Sequence, residues 1–138
     1  MSVEIDVLYD GELRCTATHG PSKDTLMTDA PLDNGGKAEK FSPTDLVATA
    51  LGTCIMTIMG LFAKKSNIDL TGTKVHVTKE MVSKPKRRIG ELNITITYPK
   101  GLNMFDADKK KFEKVVDLCP VKQSLHPGIK VEAEFVYQ

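Results

Sequence analysis

The sequence predicts an α+β domain whose strands pair mainly in antiparallel fashion. Stretches in which apolar and polar residues alternate, the pattern of half-buried strands, stand on both sides of one long uncharged segment. Runs of strands separated by helices are typical of α+β folds, whereas a doubly wound parallel sheet alternates single strands with helices. The 138 residues suffice for one hydrophobic core, so we predict a single domain over residues 1–138.

Three strands are predicted before the long helix. Alternating apolar residues indicate the first strand, and Asp10–Gly11 marks a turn into the second. Cys15 lies on the apolar face of the second strand, where we expect it to be a small core residue. The predicted ranges of the three strands are 3–9, 12–18 and about 25–28.

The long helix is predicted over residues 43–64. Ser42 suits its N-cap and Pro43 its first position, and the helix would be about 33 Å long. Residues 46–63 carry no charge, but their glycines and threonines make the segment only mildly hydrophobic, so we do not predict a membrane span. A helix that is apolar all round must be covered all round, which one small sheet cannot do. We therefore predict a homodimer with this helix near the interface.

Alternation resumes after the helix and predicts a hairpin joined by a basic turn, then two helices and a last strand. Asp106 is the predicted cap of the first of these helices, and Leu118 is among its apolar residues. Cys119–Pro120 ends that helix. The predicted strands are 73–82, 89–98 and 130–137, and the predicted helices are 106–118 and 120–125.

The charge of the chain is balanced, with 19 Lys and Arg against 18 Asp and Glu. This balance gives no reason to expect a nucleic acid or an anionic membrane as a partner. We interpret the basic clusters at 84–88 and 109–111 as a solvated turn and a solvated helix face. The first residues do not resemble a secretory signal, so we expect a cytoplasmic protein whose thiols are kept reduced.

The cysteines are the residues best suited to chemistry, because the sequence contains no phosphate-binding loop and no zinc motif. We expect no cofactor and no metal site, including one built from Cys54, Cys119 and His126. Cys54 lies about three turns into the long helix, beyond the reach of the helix dipole, so its activation requires a cation or hydrogen-bond donors from elsewhere. Cys119 precedes Pro120 and is predicted to be the N-cap of the short helix. Amides there favour a thiolate, so we expect Cys119 to be the more acidic of the two thiols.

Two segments together resemble the OsmC/Ohr family. They are SPTDLVATALGTC, which ends at Cys54, and DLCPVKQSLHPGIKVEAEF, which surrounds Cys119. The order of the predicted elements matches that family over about residues 3–137. The resemblance implies an OsmC-like α+β fold, with mainly antiparallel sheets packed around a long central apolar helix. It also implies an intertwined homodimer with two sites at the interface.

The resemblance further implies a thiol peroxidase that reduces organic hydroperoxides in oxidative or osmotic stress defence. Cys54 corresponds to the cysteine that attacks the peroxide and becomes a sulfenic acid. Cys119 corresponds to the resolving cysteine, which condenses with it to a disulfide. A dithiol or lipoylated reductant then reopens that disulfide. The implied partners are thus the second subunit, the hydroperoxide and the reductant.

The sequence departs from the family's peroxidases at two positions. In those enzymes an arginine from the region before the long helix contacts the attacking thiolate, and a glutamate ten residues before the cysteine orients it. The glutamate position is Thr44 here, with Asp45 beside it, and these two are candidate orienting residues. An alternative function is therefore a non-peroxidase binding or regulatory protein that uses the same interface cleft. The loop offers lysine in place of arginine, so the candidate activating cations are Lys23, Lys37 and Lys40.

Overall fold

A computed structural model describes residues 1–138 of the chain. Six strands form two three-stranded sheets, and the chain divides into two compact units, residues 1–47 and 48–138. The predicted α+β class and the order of the elements are confirmed. The elements are β1 (Ile5–Gly11), β2 (Arg14–His19), β3 (Thr25–Asp29), a 3-10 turn (Leu32–Asn34), α1 (Pro43–Lys65), β4 (Lys74–Val82), β5 (Arg88–Thr97), α2 (Asp106–Leu118), α3 (Pro120–Ser124) and β6 (Lys130–Val136).

The first unit contains an antiparallel sheet with the strand order β1-β2-β3. Its hairpin turn lies at Glu12 and Leu13, two residues after the Asp10–Gly11 turn that the sequence predicts. Both residues have positive φ, 54° and 65°. A two-residue hairpin turn needs positive φ at both central positions so that its twist matches the twist of the flanking strands. The Leu13 amide donates to the Tyr9 hydroxyl at 3.3 Å, which supports this turn although neither central residue is glycine.

A polar cluster joins β2 and β3 of the first unit to the loop that follows them. Asp29 is only 1% exposed, and its Oδ2 accepts from the Glu39 amide at 3.1 Å and lies 3.4 Å from Arg14 Nη2. The same guanidinium nitrogen is 2.8 Å from Glu39 Oε1. The Glu39 amide and the Arg14 charge lower the pKa of the Asp29 carboxyl, against the opposing effect of burial. The cluster thus fixes the loop through a buried carboxylate.

The start of α1 is built as the sequence predicts. The Asp45 amide donates to Ser42 Oγ at 3.1 Å, and the Ser42 amide donates to Asp45 Oδ2 at 2.9 Å. This reciprocal pair satisfies amides that the first turn of a helix leaves without partners. The helix is long and apolar enough by composition to cross a membrane. In the second unit, however, three of its side chains are fully buried core residues, namely Leu51, Ile55 and Met59.

The second unit contains a sheet with the strand order β4-β5-β6. β4 and β5 form the predicted antiparallel hairpin, while β5 and β6 pair in parallel. The parallel pair arises because α2 and α3 carry the chain back to the starting edge of the sheet before β6 begins. The inward residues of β5 are buried as predicted, and they are Leu92, Ile94, Ile96 and, just beyond the strand, Tyr98.

Gly52 allows α1 to lie close to β4. A Cβ atom at this position would be 2.9 Å from Val77 Cγ2 and 3.5 Å from Val75 Cγ1. Contacts below about 3 Å are rejected by close-packed interiors, and valine side chains on a strand have little rotamer freedom to move aside. The missing side chain of Gly52 therefore sets the distance between helix and sheet two residues before Cys54.

The opposite face of α1 is uncharged and partly exposed. Thr53 Oγ1 donates to the Thr49 carbonyl at 2.8 Å, and Thr57 Oγ1 donates to the Thr53 carbonyl at 2.8 Å. These hydroxyls therefore make hydrogen bonds within the helix itself. Leu61 continues this face and is 53% exposed.

Aromatic rings attach α2 to the second sheet. Phe112 of α2 is fully buried, with its ring centroid 6.5 Å from that of Tyr98. Tyr98 stacks on Tyr137 with centroids 5.1 Å apart, and the Tyr137 hydroxyl donates to Glu113 Oε1 at 2.6 Å. Lys109 Nζ lies 4.8 Å from the centre of the Tyr137 ring. Burial raises the pKa of the Tyr98 hydroxyl, so this residue stays neutral.

One expectation for α2 is wrong in detail. Asp106 is not the cap, because the helix is preceded by Phe105, whose amide donates to Asp108 Oδ2 at 3.3 Å. Leu118 is 57% exposed, because it lies at the end of the helix outside the face that carries Phe112. Lys111 of the basic cluster 109–111 is exposed, as the interpretation of a solvated helix face expects, and its Nζ lies 5.6 Å from the centre of the Phe62 ring.

Gly52→Ala is expected to lower the free energy of unfolding. Overpacking against Val77 lowers the free energy of unfolding by about 1–3 kcal/mol, while the better helix propensity of alanine raises it by about 1 kcal/mol. Gly60→Ala is the matched control on the same helix, because a Cβ there meets no atom within 4 Å. The free energy of unfolding of the control variant should rise by up to about 1 kcal/mol, because alanine has the better helix propensity. Urea unfolding followed by circular dichroism measures both changes, and equal effects would contradict the close contact at Gly52.

Asp29→Asn is expected to reduce stability at neutral pH more than in acid. A carboxyl with a lowered native pKa stabilises the fold above its unfolded pKa, and this contribution is lost as the pH falls through the native pKa. The difference between wild type and variant should therefore shrink below about pH 4. Asp24→Asn, at an exposed carboxylate of the same unit, is the control and should have little effect. A difference for Asp29→Asn that stays constant with pH would contradict the assignment.

Candidate active site

The second unit brings Cys54 and Cys119 together, although 65 residues separate them in the sequence. Cys54 lies on α1 and is half-buried, while Cys119 lies between α2 and α3 and is fully buried. Their sulfur atoms are close enough for the Cys119 sulfhydryl to donate a hydrogen bond to the Cys54 sulfur. Both are free thiols. The structure thus places a reduced dithiol pair where the sequence predicts the two chemical residues.

The break between α2 and α3 positions Cys119. Pro120 is the first residue of α3, and Cys119 precedes it with extended backbone angles, φ −65° and ψ 118°. The predicted N-cap position of Cys119 is therefore confirmed. Gln123 ties the junction together, because its amide donates to the Cys119 carbonyl at 3.0 Å and its Nε2 donates to the Asp117 carbonyl at 2.8 Å. Lys122 Nζ adds an ion pair with Asp117 Oδ1 at 2.7 Å.

The expected acidity of Cys119 is wrong, because the pKa of its thiol is raised. Burial makes the largest contribution, and the neighbouring Cys54 sulfur raises the pKa further. The backbone amides of Lys122 and Val121, in the first turn of α3, act in the opposite direction but do not compensate. Desolvation of a fully buried thiolate thus outweighs the N-cap effect. Cys119 consequently keeps its proton at neutral pH and can donate it towards Cys54.

The residues proposed to activate or orient Cys54 all belong to the first unit. Thr44 and Asp45 contribute to the start of α1, where Thr44 Oγ1 lies 3.3 Å from Ser42 Oγ and Asp45 caps the Ser42 amide. Their orienting role remains a prediction, as does the role of the candidate cations. The candidate cations are exposed side chains, namely Lys23, Lys37 and Lys40.

Arg14 is a cation that the sequence analysis passed over. Its guanidinium is 25% exposed and is held by Asp29 and Glu39. Arg14, Asp29 and Glu39 are distant from one another in the sequence. The only sequence signals for their cluster are the alternating pattern of β2 and a single acidic residue at the end of β3. An arginine fixed by two carboxylates presents a rigid fork of donors, which a flexible lysine does not.

The other candidate residues lie apart from the thiol pair. Cys15 is half-buried on β2 of the first unit, paired across the sheet with Tyr9 and Thr28. His126 Nδ1 accepts from the Gly128 amide at 2.8 Å and stabilises the turn before β6. No group of three or more His, Cys, Asp or Glu side chains is arranged to hold a metal ion.

Comparison with known proteins assigns a family. The sequence model of the OsmC-like protein family matches residues 35–134. No curated protein sequence matches the chain. A crystal structure from Psychrobacter arcticus, provisionally named an osmotic stress induced and detoxification response protein, is 43% identical. It covers 95% of this chain and 93% of its own, with a TM-score of 0.88.

More distant structures share the fold. An organic hydroperoxide resistance protein OsmC from Legionella pneumophila is 14% identical, with a TM-score of 0.77 over 99% of this chain and 97% of its own. An OsmC-like protein of unknown function from Vibrio cholerae is 12% identical, with a TM-score of 0.83 over 99% of both chains. Two small sheets and a long helix are thus common to all of them. With the family model matching most of its length, this chain belongs to the OsmC-like protein family.

Proposed function

We propose that this protein is a cytoplasmic thiol peroxidase that reduces organic hydroperoxides, with Cys54 as the attacking thiol and Cys119 as the resolving thiol. The observation that carries the proposal is the contact between the two free thiols. A pair of thiols in contact can form a disulfide with little movement of the backbone. The hydroperoxide resistance proteins among the structural relatives support the same class of substrate.

The reaction consumes one hydroperoxide and two thiols. The Cys54 thiolate attacks the terminal oxygen of the hydroperoxide, the O–O bond breaks, and the alcohol leaves after taking up a proton. Cys54 then carries a sulfenic acid. The Cys119 sulfur attacks the Cys54 sulfur, the S–O bond breaks, and water leaves with the Cys119 proton. The products are the alcohol, water and a Cys54–Cys119 disulfide, which a dithiol reductant reopens.

Access and protonation both support Cys54 as the thiol of the first step. Cys54 is half-buried, whereas Cys119 has no exposed surface for a hydroperoxide to approach. The raised pKa of Cys119 keeps that thiol protonated, and the thiolate is the nucleophilic form. The Cys119 sulfhydryl also lies within hydrogen-bonding reach of the Cys54 sulfur. Cys119 therefore stays protonated beside Cys54 during the attack on the hydroperoxide and afterwards resolves the sulfenic acid.

We also propose that the protein is a homodimer, as the resemblance to its family implies. One face of the first unit's sheet carries large apolar side chains in the solvent, among them Ile5, Val7 and Tyr9, each more than 60% exposed. Leu26 lies on the same face and is 45% exposed. A monomeric protein rarely exposes so continuous an apolar patch. The uncharged outer face of α1, with Thr53, Thr57 and Leu61, adds a second apolar surface.

One alternative keeps the fold and changes the function. The family's glutamate position is Thr44 here, and lysines replace the arginine of the preceding loop. A binding or regulatory protein that uses the same cleft would need no activated thiol. The two functions differ in whether the thiols turn over, which a peroxidase assay decides.

Cys54→Ser is expected to abolish turnover of cumene hydroperoxide, because the attacking sulfur is removed. Dithiothreitol serves as the reductant, and peroxide consumption is measured. Without dithiothreitol, which would itself reduce a sulfenic acid, Cys119→Ser should consume about one peroxide per chain and stop at the sulfenic acid, which a dimedone adduct reveals by mass. Stoichiometric peroxide should give an intrachain Cys54–Cys119 disulfide in the wild type.

Cys15→Ser is the matched control and should leave turnover unchanged, because Cys15 lies on the first unit's sheet and takes no part in the proposed reaction. Wild-type protein that consumes no peroxide and forms no such disulfide would refute the peroxidase and favour the binding or regulatory function.

Val7→Lys is expected to weaken the dimer, because it places a charge in the middle of the apolar face of the first sheet. Light scattering on a size-exclusion column should show a dimer for the wild type and a larger monomer fraction for the variant. Asp24→Lys, at an exposed carboxylate in the turn before β3, is the control and should remain dimeric. A monomeric wild type would contradict the dimer.

A further inference from the structure

The two thiols of the site differ in access, and this difference bears on the half-reaction that regenerates the enzyme. Cys54 is half-buried on the flank of α1, whereas Cys119 is 0% exposed beneath the α2–α3 junction. Gln123 and the Lys122–Asp117 ion pair hold that junction in place. Disulfide exchange requires the incoming thiolate to approach one sulfur directly, so the rate at each sulfur depends on whether it can be reached.

We infer that the reductant attacks the sulfur of Cys54 and never that of Cys119, so that the external thiol is bound to Cys54 in the mixed disulfide. This inference rests on the proposed function, because it concerns the oxidised form of the same pair. The incoming thiolate forms a bond to the Cys54 sulfur while the Cys54–Cys119 bond breaks. The electron pair passes to the Cys119 sulfur, which takes up a proton.

The second thiol of the reductant completes the exchange. It attacks the reductant sulfur that is bound to Cys54, and Cys54 leaves as a thiolate. The reductant is oxidised to its own disulfide, and both protein thiols are restored, so two electrons pass from the dithiol to the protein. A monothiol has no internal second sulfur, and the adjacent Cys119 thiol can attack the mixed disulfide and restore the protein disulfide. A dithiol, the reductant that the resemblance to the family implies, avoids this reversal.

Two effects compete in this choice of sulfur. A raised pKa makes Cys119 the poorer leaving group, which by itself would favour attack at Cys119 and departure of Cys54. Burial excludes a direct approach to Cys119, which prevents that alternative whatever the leaving group. The amides of Val121 and Lys122 also face the Cys119 sulfur and stabilise the charge that develops on it as it departs. Access thus decides the direction.

The test uses the full-length protein in a Cys15→Ser background, so that only the two site thiols react. Diamide oxidises the pair without any hydroperoxide, and 2-mercaptoethanol is then added for short times. Quenching in urea with excess N-ethylmaleimide labels the released thiol, and peptide mass spectrometry locates both groups. We expect mercaptoethanol on Cys54 and maleimide on Cys119. Mercaptoethanol on Cys119, or on both cysteines equally, would overturn the inference.

A second measurement covers the case in which the mixed disulfide reverts too fast to be trapped. Single-thiol proteins, Cys119→Ser and Cys54→Ser in the same background, are reacted with the aromatic disulfide 5,5′-dithiobis(2-nitrobenzoate). The native protein that retains only Cys119 should react at least about tenfold more slowly than the one that retains only Cys54, and urea should remove the difference. Equal native rates would overturn the inference.

These outcomes are separable from the fate of the proposed function. An adduct on Cys54 without hydroperoxide turnover would refute the peroxidase and leave the point of attack in place. Hydroperoxide turnover with the adduct on Cys119 would support the peroxidase and overturn the inferred point of attack. Failure of diamide to link Cys54 and Cys119 would overturn both, because the pair could not then be a redox couple.

Discussion

The close approach of α1 to β4 at Gly52 is the constraint on which the second unit depends. A helix without charge over its central five turns must be covered by apolar surface, and the sheet provides this only where the backbones come near. A missing side chain at Gly52 allows that contact with Val77. Because Cys54 follows two residues later on the flank of the same helix, the packing that buries Leu51 and Ile55 also fixes the position of the thiol.

The second thiol is positioned by a different device. Pro120 ends α2 and starts α3, and the residue between them is left extended with its sulfur turned into the protein. Helix ends offer amides to a thiolate, but full burial removes water, and the loss of solvation is the larger effect here. The result is an unequal pair, with one thiol open to reagents and one that holds its proton. Such an inequality suits a site in which attack and resolution belong to different sulfurs.

The first unit combines a loop held by polar contacts with an exposed apolar sheet face. Its sheet leaves large apolar side chains exposed, while its loop is held by a buried carboxylate and an arginine. Asp29 is stabilised as an anion by the Glu39 amide and by Arg14, so the loop before α1 is fixed by polar contacts at one point. The exposed apolar face of the first unit's sheet is of the kind that a second subunit covers in proteins that form dimers.

Sequence alone determined the class of fold, the order of the elements, the cap at Ser42 and the N-cap position of Cys119. These depend on local periodicity and local hydrogen bonding, which neighbouring residues encode. The turn at Glu12 and Leu13, the parallel pairing of β5 with β6 and the Arg14–Asp29–Glu39 cluster were not predicted, because each depends on partners distant in the chain. The acidity of Cys119 shows the difference most clearly. Its N-cap position was readable from Cys119–Pro120, but only the tertiary structure decided that burial outweighs the amides, because desolvation is a property of everything that surrounds the sulfur.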